Sequence, residues 1–141
     1  GLLLEDGSIV GTDGASLLEF NNATLGKLYV VIWHRNHLGM ISASEIVPAT
    51  AANYVYDFTT SLSQAYGDGQ NQLDEGVYGM ISGDANADGT IDLGDILQVW
   101  LLQAGSAGYL HNDLNMDGQV NNPDKNDLWY ENYGKQTQVP E

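Results

Sequence analysis

The stretch Asp84-Ala85-Asn86-Ala87-Asp88-Gly89-Thr90-Ile91-Asp92-Leu93-Gly94-Asp95 returns 29 positions later as Asp113-Leu114-Asn115-Met116-Asp117-Gly118-Gln119-Val120-Asn121-Asn122-Pro123-Asp124. Seven positions are identical between Gly83–Gly105 and Asn112–Gly134: Asp84/Asp113, Asn86/Asn115, Asp88/Asp117, Gly89/Gly118, Asp95/Asp124, Trp100/Trp129 and Gly105/Gly134. An internal repeat of this kind marks one structural unit used twice. Five of the seven are acid, amide or glycine inside the repeated stretch. The other two are a tryptophan in the apolar segment that follows and the glycine that stops it. The C-terminal part therefore reads as two loops, each leading into a helix.

The spacing inside each loop is that of an EF-hand, whose oxygen ligands come from positions 1, 3, 5, 7, 9 and 12. In the first loop these are Asp84, Asn86, Asp88, Thr90 through its backbone carbonyl, Asp92 and Asp95. In the second they are Asp113, Asn115, Asp117, Gln119 through its carbonyl, Asn121 and Asp124. Position 6 must turn with positive φ, and Gly89 and Gly118 meet that need. Position 8 is apolar, Ile91 or Val120, and anchors each loop to its twin. Asp92 and Asn121 suit helix N-caps, with Asp95 and Asp124 three residues on, near the positive end of the helix dipole. Ca²⁺ takes six to eight hard oxygen ligands, so the expectation is two bound Ca²⁺ ions. Crowded carboxylates repel one another without the ion, so ion binding and folding of this part are expected to be coupled.

The duplicated pattern Asp-x-Asn-x-Asp-Gly-x-Ile/Val-x-x-x-Asp, ending in Asp rather than Glu, resembles dockerin modules of type I. The resemblance covers about residues 83–134. It implies two calcium loops each followed by one helix, without the helix that precedes an EF-hand loop. It also implies extracellular life and docking into a cohesin-like protein domain, often at the end of a polysaccharide-degrading enzyme or a surface protein. Partner choice in that family rests on loop positions 10 and 11, here Leu93-Gly94 and Asn122-Pro123, and on helix positions that here hold Trp100-Leu101 and Trp129-Tyr130.

Charge supports ligands over a solvated face. The 141 residues carry 19 Asp and Glu against 4 Lys and Arg, a formal net charge of −15. Ten of those acids, against two lysines, fall in residues 83–141. Such a surface repels phosphate backbones and anionic lipid, which argues against nucleic acid and membrane partners. Without cysteine the chain has no disulfide, thiolate metal site or Cys nucleophile. No apolar run approaches a membrane span of roughly 18 residues. The start on Gly1-Leu2-Leu3-Leu4 reads as a piece from near the C-terminus of a larger secreted protein.

Residues 1–82 alternate short β-rich runs with turn chemistry. Strands are expected near Leu2–Glu5, Ser16–Phe20, Lys27–His34, Met40–Ser42, Glu45–Val47, Tyr54–Phe58 and Val77–Ile81. Turns are expected at Asp6-Gly7, Thr12-Asp13-Gly14, Asn21-Asn22, Pro48 and Gly67-Asp68-Gly69. This spacing predicts a small all-β sandwich. The run Lys27–His34 is apolar on both faces, like a strand covered on both sides. The fold class is thus mixed: a β-sandwich-like module over 1–82 and an α-helical, dockerin-like calcium-binding module over 83–141. Leu93, Ile96, Leu97, Trp100, Leu101 and Ala104 share one helical stripe, and packing of the helices on the β-rich half is the favoured use for it.

Catalytic signatures are missing. His34-Arg35-Asn36-His37 could hold a metal or act in catalysis, but no HExxH or third ligand is evident, and it reads as a polar turn. Asp57 reads as a turn former rather than as half of a glycosidase acid pair. Tyr29, Trp33, Tyr54, Tyr56, Tyr66 and Tyr78 could stack on a sugar, although core and cross-strand packing is the preferred account of them. Residues 1–82, with Tyr29-Val30-Val31-Ile32-Trp33-His34-Arg35-Asn36-His37-Leu38-Gly39, loosely resemble β-modules near the ends of large secreted bacterial proteins. The expected function is a non-catalytic, extracellular calcium-dependent docking module, with a carbohydrate-binding accessory module, or polysaccharide partner, as the alternative.

Overall fold

The computed structural model describes residues 1–4, 8–20, 26–48 and 54–141. Among these, six short strands pair antiparallel as three separate two-stranded sheets. Strands β1 (Leu2–Leu3) and β2 (Ile9–Val10) form the first, β3 (Val31–Ile32) and β4 (Met40–Ile41) the second, β5 (Gln70–Asp74) and β6 (Val77–Met80) the third. Isolated bridges extend the second, with Leu28 and Ile46 exchanging both backbone bonds at 3.0 and 2.7 Å.

These strands do not form the two facing sheets of a sandwich among the described residues. Ser16–Phe20 and Tyr54–Phe58 carry no strand. The turns expected at Asp6-Gly7 and Asn21-Asn22 lie outside the described residues. The run Lys27–His34 is covered on one side only: Val30 and Ile32 pack toward Met40, Phe58 and Ala65, whereas Tyr29, Val31 and Trp33 are exposed. Its period-2 alternation sorts side chains between core and solvent. Strand β5 was not expected, because Gln70-Asn71-Gln72 is polar and its face toward the core is an amide, the buried Gln70 that donates to the Phe58 carbonyl at 2.7 Å.

The C-terminal part is two loop–helix units. The first helix covers residues 93–103, the second 122–132. Each runs as a π-helix over Asp95–Trp100 or Asp124–Trp129 after two leading α-helical residues, and then tightens to a short α-helix. The wide turn is visible in the bonds from Leu101 N–H to the Ile96 carbonyl and from Tyr130 N–H to the Lys125 carbonyl, each five residues back.

The units interlock reciprocally. Ile91 N–H donates to the Lys135 carbonyl at 2.9 Å and its carbonyl accepts from Gly134 N–H at 2.8 Å; Val120 makes the same pair with Ser106 and Gly105 at 2.9 and 2.8 Å. Position 8 of each loop therefore pairs with the chain leaving the opposite helix rather than with its twin. Ile91 and Val120 have no exposure, and each such burial contributes about 1.5–3 kcal/mol.

The two parts share a core. Leu38 and Ile81 cluster with Ile91, Leu114 and Trp129, flanked by Ile96 and Leu128. The second helix thus packs inward through Leu128 and Trp129. The first packs only through Ile96 and leaves Leu93, Leu97 and Leu101 exposed.

Candidate functional site

Each loop closes on the carboxylates at its ends. Asp84 and Asp113, at position 1, and Asp95 and Asp124, at position 12, are all buried. Asp95 Oδ1 accepts from Asn86 N–H at 3.1 Å and its Oδ2 from Asp92 N–H at 2.9 Å. Asp124 repeats this on Asn115 N–H at 3.1 Å and Asn121 N–H at 2.8 Å. Position 1 holds the turn: Asp84 Oδ2 accepts from Gly89 N–H at 3.0 Å, and Asp113 Oδ2 from Gly118 N–H at 3.1 Å. Gly89 and Gly118 have φ of 87° and 85°, which a glycine adopts without strain. Position 4 is also left-handed, at φ 59° for Ala87 and 61° for Met116.

Positions 3, 5 and 7 form the exposed lip. Asn86 and Asn115 donate their amides to Asp88 and Asp117 at 2.9 and 3.0 Å, and these accept from Thr90 and Gln119 N–H at 3.0 and 2.8 Å. The twelve expected residues therefore lie in two equivalent rings.

The loops differ at position 9. Asp92 caps its helix, accepting from Gly94 N–H at 2.6 Å, and Asp95 answers by taking Asp92 N–H, a reciprocal cap. The equivalent of Gly94 is Pro123, which has no N–H to give. Asn121 Oδ1 is consequently buried without a partner, and so is Asp113 Oδ1. Buried acceptors of this kind are uncommon and invite a ligand.

Electrostatics differ as well. Burial, with the charges of Asp95 and Asp88 adding to it, pushes the Asp84 carboxyl up to about 6 against two opposing backbone bonds. Burial also raises Asp95. Like charges in a confined ring hold protons or attract a cation.

No family model, curated protein or solved structure matches this chain. The site must therefore be read from its own atoms. Its donor set is carboxylate, amide and carbonyl oxygen without thiolate or imidazole, which is the chemistry of a hard cation. Among the described residues no three His, Cys, Asp or Glu side chains close on one point. The bonds above account for this, because most loop carboxylate oxygens are turned onto backbone N–H groups. Asp113 Oδ1 and Asn121 Oδ1 are the loop side-chain oxygens left buried and free.

Two residues matter here that sequence reasoning passed over. Asn36, fully buried, donates its amide to the carbonyls of His111 at 2.8 Å and Asp113 at 2.9 Å, so it fixes the entry to the second loop. Asn132, also buried, donates to the Ser82 carbonyl at 2.9 Å just before the first. Each acts across more than 45 residues of chain, which no local pattern reports.

Proposed function

We propose that the chain is a non-catalytic calcium-binding module of an extracellular bacterial protein, in which two EF-hand-type loops of dockerin character each hold one Ca²⁺. The observation that carries this reading is that the same three backbone bonds recur in both loops around buried aspartates at positions 1 and 12. Six oxygen positions per loop suit a cation that takes six to eight. The free oxygens of Asp113 and Asn121 are what a cation would use first in the second loop.

The docking role draws on the first helix. Leu93, Leu97 and Leu101 are 55%, 59% and 58% exposed at successive fourth positions, and Leu102 is 80% exposed beside them. A solvated apolar stripe of this size is characteristic of a surface that meets a protein partner. A cohesin-like domain is the partner the resemblance names.

The test is removal of the ion. Calcium titrated into metal-free protein should release or absorb heat with two equivalents bound, and excess EGTA should melt residues 83–141 by circular dichroism. An unchanged spectrum in EGTA together with a flat calorimetric trace ends this reading. Docking is tested by pull-down with cohesin domains in calcium and in EGTA.

A second reading rests on Trp33. It is 64% exposed. A Cβ on Gly39 would collide with the Trp33 ring, so the indole lies directly against that glycine. A held, solvent-facing indole is a surface on which a sugar ring stacks. Retardation in polysaccharide gels, lost in Trp33→Ala, would favour a carbohydrate-binding accessory module over the docking role.

A further inference from the structure

His34, Asn36 and His37 bring three lone-pair atoms together. His34 Nδ1 and His37 Nδ1 are 3.0 Å apart, and Asn36 Oδ1 is 2.7 Å from His37 Nδ1. The Asn36 side chain acts on His34 as a hydrogen-bond partner as well. Its amide cannot turn over, because Nδ2 is committed to the carbonyls of His111 and Asp113. Oδ1 therefore faces the imidazoles, and neutral rings place at most one proton between the three atoms without conflict.

The rings are not aimed head-on. They stand at 85° with centroids 4.7 Å apart, and this separation narrows to 3.0 Å at the nitrogens. The Nδ1 edges therefore face one another across a gap that two Zn²⁺–imidazole bonds of about 2.0–2.1 Å can span. We propose that His34 Nδ1, His37 Nδ1 and Asn36 Oδ1 form a site for a borderline divalent metal ion of the Zn²⁺ class, distinct from the calcium loops although Asn36 also touches the second of them through the Asp113 carbonyl.

Imidazole nitrogen selects this class over hard cations such as Ca²⁺. Both rings are neutral ligands at neutral pH, since burial lowers His34 and takes His37 down to about 3. The Arg35 guanidinium lies 3.7 Å over the Tyr109 ring and its Nε donates to the Leu110 carbonyl, while its charge still helps keep both rings neutral. Half-buried His34 leaves one side open, where a water completes a tetrahedron.

The test is calorimetric titration of Zn²⁺ into the full chain in excess Ca²⁺, with the visible absorption of Co²⁺ as a second probe. One equivalent should bind, at least tenfold more weakly in His34→Ala and in His37→Ala, and unchanged in His111→Gln. Should either variant fail to fold, the ¹⁵N resonances of the wild-type rings decide, since Nδ1 of His34 and His37 should shift on Zn²⁺ addition and Nε2 should not. No binding at about 1 mM Zn²⁺, binding that survives both histidine substitutions, or shifts confined to Nε2 would overturn the assignment.

Discussion

Asp124 carries the second loop through three backbone bonds, and its removal has a calculable effect. The side chain has no exposure. Oδ1 accepts from Leu114 N–H at 2.7 Å and Asn115 N–H at 3.1 Å, while Oδ2 accepts from Asn121 N–H at 2.8 Å. Bonds to a charged acceptor net about 1.5–3 kcal/mol each, but only where the stranded donor finds no water. Leu114 is buried, Asn121 half-buried and Asn115 exposed. Asp124→Ala should therefore lose the full amount at Leu114 and fractions at the other two, about 3–5 kcal/mol together. That is a large part of the roughly 5–15 kcal/mol that holds a domain folded. Urea unfolding followed by circular dichroism, at fixed saturating Ca²⁺, measures it; a lost metal ligand would add to the figure rather than reduce it. Asn122→Ala is the control, because that side chain is exposed in the same loop and stands at none of its ligand positions, so it should cost about 1 kcal/mol or less. A loss below about 1 kcal/mol in Asp124→Ala would refute the claim that this carboxylate organises the loop.

Three further outcomes follow from the same geometry. Trp129→Phe should destabilise by about 1–2 kcal/mol, because Nε1–H donates to the Asp92 carbonyl at 3.1 Å, whereas Trp100→Phe should be neutral or stabilising, because Trp100 Nε1 is buried without an acceptor; equilibrium unfolding of the pair decides. Ala87→Gly and Met116→Gly should each raise the urea midpoint by a change worth about 1 kcal/mol, since both residues sit at positive φ. With Asp84 raised to about 6 in the fold, a proton competes with Ca²⁺, so affinity should fall as pH drops below 6. In the metal-free protein the sign reverses: a folded pKa above the unfolded one stabilises at low pH and is lost as pH rises through 6. Dialysed protein should accordingly show more structure at pH 5 than at pH 7.5.

The loops were legible because their demands are local. A glycine for positive φ at position 6, an aspartate to receive N–H groups at positions 1 and 12, and a cap at position 9 are all set by neighbours within twelve residues. Asp92 behaves as its sequence suggests, bonding Gly94 N–H at 2.6 Å. Asn121 does not, and the reason stands in the sequence two residues later: Pro123 cannot donate. The β-rich part was less legible because its pairing is non-local and its strands are two to five residues long. Apolar runs such as Lys27–His34 signal burial, yet they do not say how many neighbours a strand will have. Polar β5, with Leu73 its one apolar residue, gave little apolar signal, though the Glu75-Gly76 turn before Val77 marks the hairpin in retrospect. Of the helix stripe expected to pack on the β-rich half, Ile96 reaches the shared core while Leu93, Leu97 and Leu101 stay exposed.

The departures from symmetry are where the two halves of the repeat acquire different physics. In the first loop the side-chain oxygens are occupied: Asp84 takes two N–H groups, Asp92 caps, and Asp95 takes at least two more. In the second, Pro123 at position 11 leaves Asn121 Oδ1 bare in the interior, and Asp113 Oδ1 is bare because it lacks the N–H bond that Asp88 gives Asp84 Oδ1. A bare buried acceptor raises the energy of the empty state by about 1–3 kcal/mol. A cation binding both oxygens would relieve that, so the second loop has more to gain from occupancy than the first. The same loop is the one that Asn36 ties to the β-rich half through the His111 and Asp113 carbonyls. Whatever fills the second loop therefore also steadies the contact between the two parts, and the energetic weight of the repeat lies in its less regular copy.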